Sequence, residues 1–234
     1  MSAYYRYVNC PYFCAMKLKA VIFDMDGLLI DSEPLWQEAG SETLADFGKE
    51  LTLEQYHSST GLRTEEWIQH WFHYFDIPTQ QAAAAIDMII SKAISKIDEM
   101  GIAFPGVEHI IPFLKSHSLK IGLATSSPLS LVDVVLRKLG LQNSFDAITS
   151  AEKLPFGKPH PEVYLNCAAA LGAKGMECIA FEDSFNGMIA AKAARMKCVI
   201  IPAVADHDHP KWNAADLKLR SLTEFDEEKL KLFL

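Results

Sequence analysis

Short apolar runs alternate with longer segments of helical periodicity along this chain. Four runs have the character of buried strands and a fifth, at 145–148, is weaker. The four are 20–23, 119–124, 178–182 and 197–201. Strands that alternate with helices are typical of βαβ units, whose strands form a mainly parallel sheet. The pattern therefore predicts an α/β fold.

The longest gap between strand-like runs separates the first run from the second. Helical periodicity covers roughly 35–47, 64–75 and 79–100 in this gap, and no convincing strand interrupts it. We therefore expect 32–103 to be an all-helical subdomain. It would be inserted into an α/β core with a mainly parallel sheet, made of 16–31 and 104–234.

Composition narrows the class of protein. The chain has 234 residues, half of them apolar, which is enough to bury a core. A net charge of −8 without any block rich in lysine or arginine argues against nucleic acid as a partner. No apolar stretch approaches the ~20 residues of a membrane span. We also expect a monomer.

The cysteines and the first residues bear on the compartment. Five cysteines, an odd number, mostly in apolar runs, favour free thiols in a reduced, cytoplasmic environment. Segment 1–15 is aromatic and polar and does not resemble a signal peptide. We expect it to be an N-terminal extension that the fold does not need.

Two aspartates and a glycine follow the first strand-like run. Asp24 and Asp26 are two residues apart, so their side chains are expected on the same side of the chain. Gly27 permits a sharp turn there. Open α/β sheets bind ligands at this carboxyl edge. An acidic turn without any ligand is the alternative that this segment alone leaves open.

Polar residues also follow later apolar runs. Thr125 and Ser126 could hold phosphate oxygens, or could simply cap a helix. Glu182 and Asp183 suit a hard cation, although acidic residues also stabilise helix N-termini. Lys158 lies on a glycine-hinged loop before a helix, where a lone lysine is usually a surface charge. All of them fall at corresponding ends of one predicted sheet, which favours a shared site.

These segments resemble, in order and context, the four motifs of the haloacid dehalogenase-like hydrolase superfamily. The motifs are Asp24-Met25-Asp26-Gly27, Thr125, Lys158-Pro159 and Glu182-Asp183, and the resemblance covers residues 17 to about 225. Segments 26–36, 151–155 and 186–190 look more narrowly like the hexitol and 2-deoxyglucose-6-phosphate phosphatases, within the β-phosphoglucomutase-like branch. The resemblance implies a Rossmann-like core with a helical cap.

The resemblance also implies a mechanism. Asp24 would attack phosphorus, and Asp26 would protonate the leaving oxygen and later take a proton from water. A Mg²⁺ ion, replaceable by Mn²⁺ or Co²⁺, would bind Asp24, the backbone carbonyl of Asp26, and Asp183. Glu182 would be an additional ligand or would support the others.

Substrate contacts follow from the same resemblance. Thr125, Ser126 and Lys158 would hold the phosphoryl oxygens. Arg63 resembles a residue of the cap loop that enters this branch's active site, although a surface arginine at a helix start fits equally well. Trp36 would either line the sugar pocket or pack in the interior of the cap.

The implied activity is a magnesium-dependent phosphatase of small sugar or sugar-alcohol phosphates. A sugar phosphomutase is the alternative, but mutases of this branch have histidine in place of Trp36 and an arginine one position after Arg63. A dehalogenase would need neither Asp26 nor a metal. A catalytically inactive binding module would lack the nucleophile, a metal ligand or the lysine, and this chain has all three.

Overall fold

Six parallel strands form the centre of the molecule. The computed structural model describes residues 17–59 and 62–234, so the expectation for 1–15 lies outside the described residues. The strands are β1 Ala20–Phe23, β2 Lys120–Thr125, β3 Ala147–Ser150, β4 Cys178–Glu182, β5 Lys197–Ile200 and β6 Leu217–Lys218. Their order in the sheet is β3-β2-β1-β4-β5-β6, and every neighbouring pair is parallel. The predicted α/β fold is confirmed.

Helices surround this sheet and fill the gap after its first strand. They are α1 Glu33–Ala45, α2 Leu53–Ser58, α3 Thr64–Tyr74, α4 Ala82–Met100, α5 Val107–Ser116, α6 Leu129–Lys138, α7 Glu162–Ala170, α8 Phe185–Ala193 and α9 Glu227–Lys231. Helices α1 to α4 form what we call the helical insertion, in agreement with the predicted subdomain. Among the described residues, no helix is both long and apolar enough to cross a bilayer.

The sheet is buried on both faces, which explains why its strands are continuous apolar runs. Val21 and Phe23 of β1 belong to a core cluster that includes α5, α6 and the helical insertion. Ala20 and Ile22 point to the opposite face, into a cluster with α7 and α8. Because helices cover both faces, a ligand can reach the sheet only at an edge, and polar side chains at its carboxyl edge are placed to meet one.

The chain leaves and re-enters the core at adjacent points. Ile30 and Ala103 form an antiparallel bridge, and the Asp31 N–H donates to the Ile102 carbonyl at 2.8 Å. The helical insertion is therefore joined to the core through two paired linker segments. Both segments begin or end beside the carboxyl edge of β1.

Candidate active site

Three neighbouring strands end at one cavity. Asp24 follows β1, Thr125 ends β2, and Glu182 ends β4 with Asp183 directly after it. Because β1 lies between β2 and β4, these ends are adjacent. The cavity is lined from the core by Asp24, Asp26, Thr125, Ser126, Lys158 and Asp183. The structure thus brings together the residues that the sequence placed at strand ends.

Lys158 is buried among carboxylates. Its Nζ lies 2.5 Å from Asp24 Oδ1 and 2.6 Å from Glu182 Oε1, and only 3% of its side chain is exposed. Burial alone lowers the pKa of Lys158, but the charges of Asp24 and Glu182 outweigh it and raise that pKa above its ordinary value. The ammonium therefore keeps its charge inside the cavity, which excludes the simple surface role.

Glu182 has both carboxylate oxygens occupied. Its Oε1 accepts from Lys158 and from the Tyr164 hydroxyl at 2.7 Å. Its Oε2 accepts from the Asp183 and Ser184 N–H groups, each at 3.2 Å, and from Ser184 Oγ at 3.1 Å. Glu182 is thus engaged mainly in holding Lys158. Sequence reasoning missed Tyr164, which has no distinguishing pattern in its helix.

A cluster of carboxylates could hold a divalent cation. Oxygen atoms of Asp24, Glu182 and Asp183 lie within 4.8 Å of one another. Asp183 Oδ1 is buried and has no hydrogen-bond partner among the described residues. A buried carboxylate oxygen without a donor is costly, and a cation would satisfy it. The donor set therefore fits a hard cation such as Mg²⁺.

The pKa values of these carboxyls indicate that negative charge at the site exceeds the single positive charge of Lys158. Burial raises the pKa of Asp24 to about 7, with Lys158 opposing the shift and Glu182 adding to it. Burial, Glu182 and Asp24 hold the pKa of Asp183 well above its usual range. Like charges crowd the site, and a cation would relieve their repulsion.

Gly27 makes the approach of Asp183 to β1 possible. Its φ is +75°, and a Cβ at this position would lie 2.1 Å from Asp183 Oδ2. A side chain would be strained in this left-handed conformation and would also displace the carboxylate. The turn after β1 therefore needs glycine for two independent reasons.

Asp26 is held by three donors from different segments. Its Oδ1 accepts from Ser32 Oγ at 2.6 Å and from Trp36 Nε1 at 3.1 Å, and its Oδ2 accepts from Ser127 Oγ at 2.6 Å. Sequence reasoning assigned none of these contacts. The position of Ser127, directly after Thr125 and Ser126, is the one signal that could have suggested its role.

Two hydroxyls face the cavity from the end of β2. Thr125 Oγ1 accepts from the Ser127 N–H at 3.0 Å and is almost fully buried. Ser126 Oγ is buried and has no hydrogen-bond partner among the described residues. A buried hydroxyl next to a cavity is available to bind a ligand oxygen.

The helical insertion supplies the opposite wall. Glu33, Trp36, Tyr56 and Trp67 line the cavity from this side. Burial raises the pKa of Glu33 to about 7, and Asp26 and Asp31 add to the shift. The wall combines aromatic surface with a carboxyl group. Glu33 lies within a segment that carries the family resemblance, but sequence reasoning assigned it no role of its own.

Arg63 does not reach into this cavity. Its Nη1 donates to the carbonyls of Ala151 at 3.2 Å and Leu154 at 2.5 Å, and its Nη2 lies 3.2 Å from Glu66 Oε1. Its neighbours in sequence, Leu62 and Thr64, are among the residues that line the cavity, but Arg63 is not. The structure therefore places Arg63 outside the cavity that the resemblance implied it would enter. Its buried position also excludes a surface arginine.

Two known proteins with similar sequences are named as phosphatases. The chain is 43% identical over 217 residues to Hexitol phosphatase B of Escherichia coli (strain K12), covering 92% of this chain and 97% of the relative. It is 32% identical over 178 residues to a Phosphorylated carbohydrates phosphatase of Thermotoga maritima, covering 76% and 82%.

A solved structure and a family model extend the comparison. The crystal structure of β-phosphoglucomutase from Clostridium difficile matches with a TM-score of 0.82 at 25% identity, covering 92% of this chain and 96% of that one. The family model of the haloacid dehalogenase-like hydrolases matches residues 21–201. This chain belongs to the haloacid dehalogenase-like hydrolase family.

Proposed function

We propose that this protein is a magnesium-dependent phosphatase that hydrolyses monophosphate esters of small sugars or sugar alcohols. One observation carries the proposal: the Lys158 ammonium and the carboxylates of Asp24 and Asp183 converge in one cavity, beside Asp26. This arrangement suits a phosphate dianion that must meet a carboxylate nucleophile. The relatives named as phosphatases of hexitols and of phosphorylated carbohydrates support the same substrate class.

Asp24 and Asp26 would share the chemistry. An Asp24 oxygen attacks phosphorus, the bond from phosphorus to the sugar oxygen breaks, and Asp26 gives that oxygen a proton. Asp26 then takes a proton from a water molecule as this water attacks the aspartyl-phosphate and releases phosphate. The three donors around Asp26 hold its carboxyl group in a fixed orientation for both proton transfers.

Asp24, Asp183 and the backbone carbonyl of Asp26 would hold the magnesium ion. The ion would offset the repulsion between the attacking carboxylate and the phosphate, and Mn²⁺ or Co²⁺ is expected to substitute. The unpartnered Oδ1 of Asp183 supports this assignment. The hydrogen bonds of Glu182 favour a supporting role for this residue, in which it orients Lys158.

Thr125, Ser126 and Lys158 would bind the phosphoryl oxygens. The ammonium supplies charge, and the unpartnered hydroxyl of Ser126 supplies a donor that no protein group uses among the described residues. Such donors stabilise the charge that shifts onto the phosphoryl group during transfer.

The opposite wall favours a hydroxylated, uncharged leaving group. Trp36 and Tyr56 offer aromatic surface, and Glu33 offers a carboxyl group that can bind hydroxyls. Of the described residues that line the cavity, only Lys158 carries a permanent positive charge. A mutase must also hold a second phosphate, so this wall supports a phosphatase. A monomeric, cytoplasmic enzyme remains our prediction.

Replacing Asp24 tests the proposal. We expect the wild-type protein to release phosphate from at least one hexitol or hexose phosphate in a panel, and a chelator to abolish this release. Asp24→Asn should lower turnover by about 10³-fold or more, because no other group can attack. Mass spectrometry of the variant checks for deamidation back to aspartate. Hydrolysis by intact Asp24→Asn under magnesium would refute the role of Asp24.

A second assay separates the phosphatase from the mutase. The protein is incubated with β-glucose 1-phosphate and its bisphosphate while free phosphate and glucose 6-phosphate are followed together. Free phosphate without accumulating glucose 6-phosphate is expected. Accumulation of glucose 6-phosphate as the main product would favour the mutase.

A further inference from the structure

The start of α3 packs against the loop that carries Lys158. Arg63, just before α3, donates from Nη1 to the carbonyls of Ala151 at 3.2 Å and Leu154 at 2.5 Å. Only 9% of Arg63 is exposed, so its two Nη groups are paired with protein groups rather than with bulk water, while its buried Nε has no partner among the described residues. This contact joins the helical insertion to the segment between β3 and α7.

Glu66 completes the contact one turn further along α3. Its Oε1 accepts the Gly157 N–H at 3.1 Å and lies 3.2 Å from Arg63 Nη2. A Cβ on Gly157 would lie 2.9 Å from Glu66 Oε2 and 3.2 Å from Arg63 Cβ. The loop therefore approaches α3 about as closely as a glycine allows.

Both ends of this loop lead to the active site. Gly157 directly precedes Lys158, whose ammonium lies 2.5 Å from Asp24 Oδ1. At the other end, the Ala151 N–H donates to the Thr125 carbonyl at 2.9 Å. Any displacement of the loop from α3 is thus transmitted to groups that would hold the phosphoryl oxygens.

We propose that Arg63 and Glu66 are a positioning pair that docks the helical insertion on the 151–157 loop and so sets the place of Lys158. The inference rests on the proposed function. Arg63 acts through the loop backbone and makes no contact with the substrate. A guanidinium suits this task, because its rigid fork can donate to two carbonyls and pair with a carboxylate at once.

Steady-state kinetics with two esters test the pair. Phenyl phosphate and a hexitol phosphate share the phosphoryl group but not the hydroxyls of the leaving group. Arg63→Ala and Glu66→Gln should each lower kcat/KM for both esters by the same factor, on the order of tenfold, because the loss passes through Lys158. The double variant should lose little more than the larger single loss. A loss confined to the hexitol phosphate would place Arg63 on the substrate and overturn the proposal.

An exposed ion pair across the same boundary provides a matched control. Arg137 of α6 and Asp98 of α4 are 3.0 Å apart, and their side chains are 58% and 51% exposed. Arg137→Ala and Asp98→Asn should change kcat/KM less than about twofold, since exposed pairs contribute little. Losses as large as those of Arg63→Ala would mean that any contact across the boundary has this effect, and would overturn the specific role.

Hydrogen exchange separates this inference from the proposed function. Amides of 151–158 should exchange several-fold faster in full-length Arg63→Ala than in the wild type or in Arg137→Ala. If the wild type hydrolyses neither ester, the proposed function fails, but exchange still decides whether the pair docks the loop. Unchanged exchange in folded Arg63→Ala overturns the docking. Arg63→Lys, which keeps the charge but not the fork, replaces the alanine variant if that variant does not fold.

Discussion

Asp26 has a more specific environment than its place in a motif suggests. Ser32 comes from the linker, Trp36 from the helical insertion and Ser127 from the core, and all three donate to its carboxylate. A carboxyl group held by three donors from different segments has a fixed orientation. The orientation of the proposed acid and base therefore depends on the insertion and the core together.

Replacement of Trp36 tests this dependence. Trp36→Phe removes the indole donor and should lower kcat/KM for a hexitol phosphate roughly fivefold, the usual effect of one hydrogen bond. The loss should be smaller for p-nitrophenyl phosphate, whose leaving group needs no proton. Trp71→Phe is the control, because it loses an indole hydrogen bond, to Ser59 at 3.2 Å, in the same insertion. Equal losses on both esters would contradict the prediction.

Sequence could locate the candidate residues but not all of their contacts. Asp24 and Asp183 follow the ends of the adjacent strands β1 and β4, so topology alone brings them together, whereas Lys158 reaches them from the loop between β3 and α7. The contacts of Arg63 and Glu182 are with groups far away in sequence. Arg63 donates to the backbone carbonyl of Leu154, and Glu182 accepts from Lys158. A single sequence contains no signal for such pairs.

At the scale of elements, the apolar runs predicted strands best where both faces are buried. β1, β2, β4 and β5 agree with their runs to within one residue at each end. β3 begins two residues later than predicted and is half exposed, so its pattern is weak. The two-residue strand β6 and the one-and-a-half-turn helix α2 were missed, because so few residues cannot display a period.

The turn between β1 and the linker gives a prediction at this scale. Gly27→Ala should abolish most activity and destabilise the protein, since it adds backbone strain and displaces Asp183. Gly140→Ala is the matched control: its φ is +68°, but a Cβ there meets nothing within 4 Å. The control should lose only about 1 kcal/mol of unfolding free energy and keep its activity. Phosphate release and urea denaturation measure both effects.

At the scale of the whole molecule, we expect the crowded carboxylates to make stability depend on pH and on divalent cations. The pKa values of Asp24 and Glu33 are raised to about 7, chiefly by burial, and burial also raises the pKa of Asp183 well above its usual range. The folded protein then binds more protons than the unfolded chain above about pH 4. The contribution of these carboxyl groups to the free energy of unfolding is fully present below about pH 4 and is lost as the pH rises through about 7.

Thermal melting with and without magnesium tests this dependence. Without a divalent cation, Tm should fall between pH 5 and pH 8. Saturating Mg²⁺ should raise Tm by roughly 5 °C at pH 8 and by less at pH 5, because protons compete with the cation. Asp183→Asn should remove the magnesium effect and raise the cation-free Tm at pH 8. Equal magnesium shifts at both pH values would contradict the prediction.

The bridge between Ile30 and Ala103 has a consequence for the design of chimaeras. Because the outgoing and returning segments are hydrogen-bonded to each other, the core contributes two neighbouring ends and no long gap. A helical subdomain from a relative, spliced at these two positions, would need no extra linker to close the chain. Exchange at this junction would transplant one wall of the cavity as a unit and leave the strand ends opposite it in place.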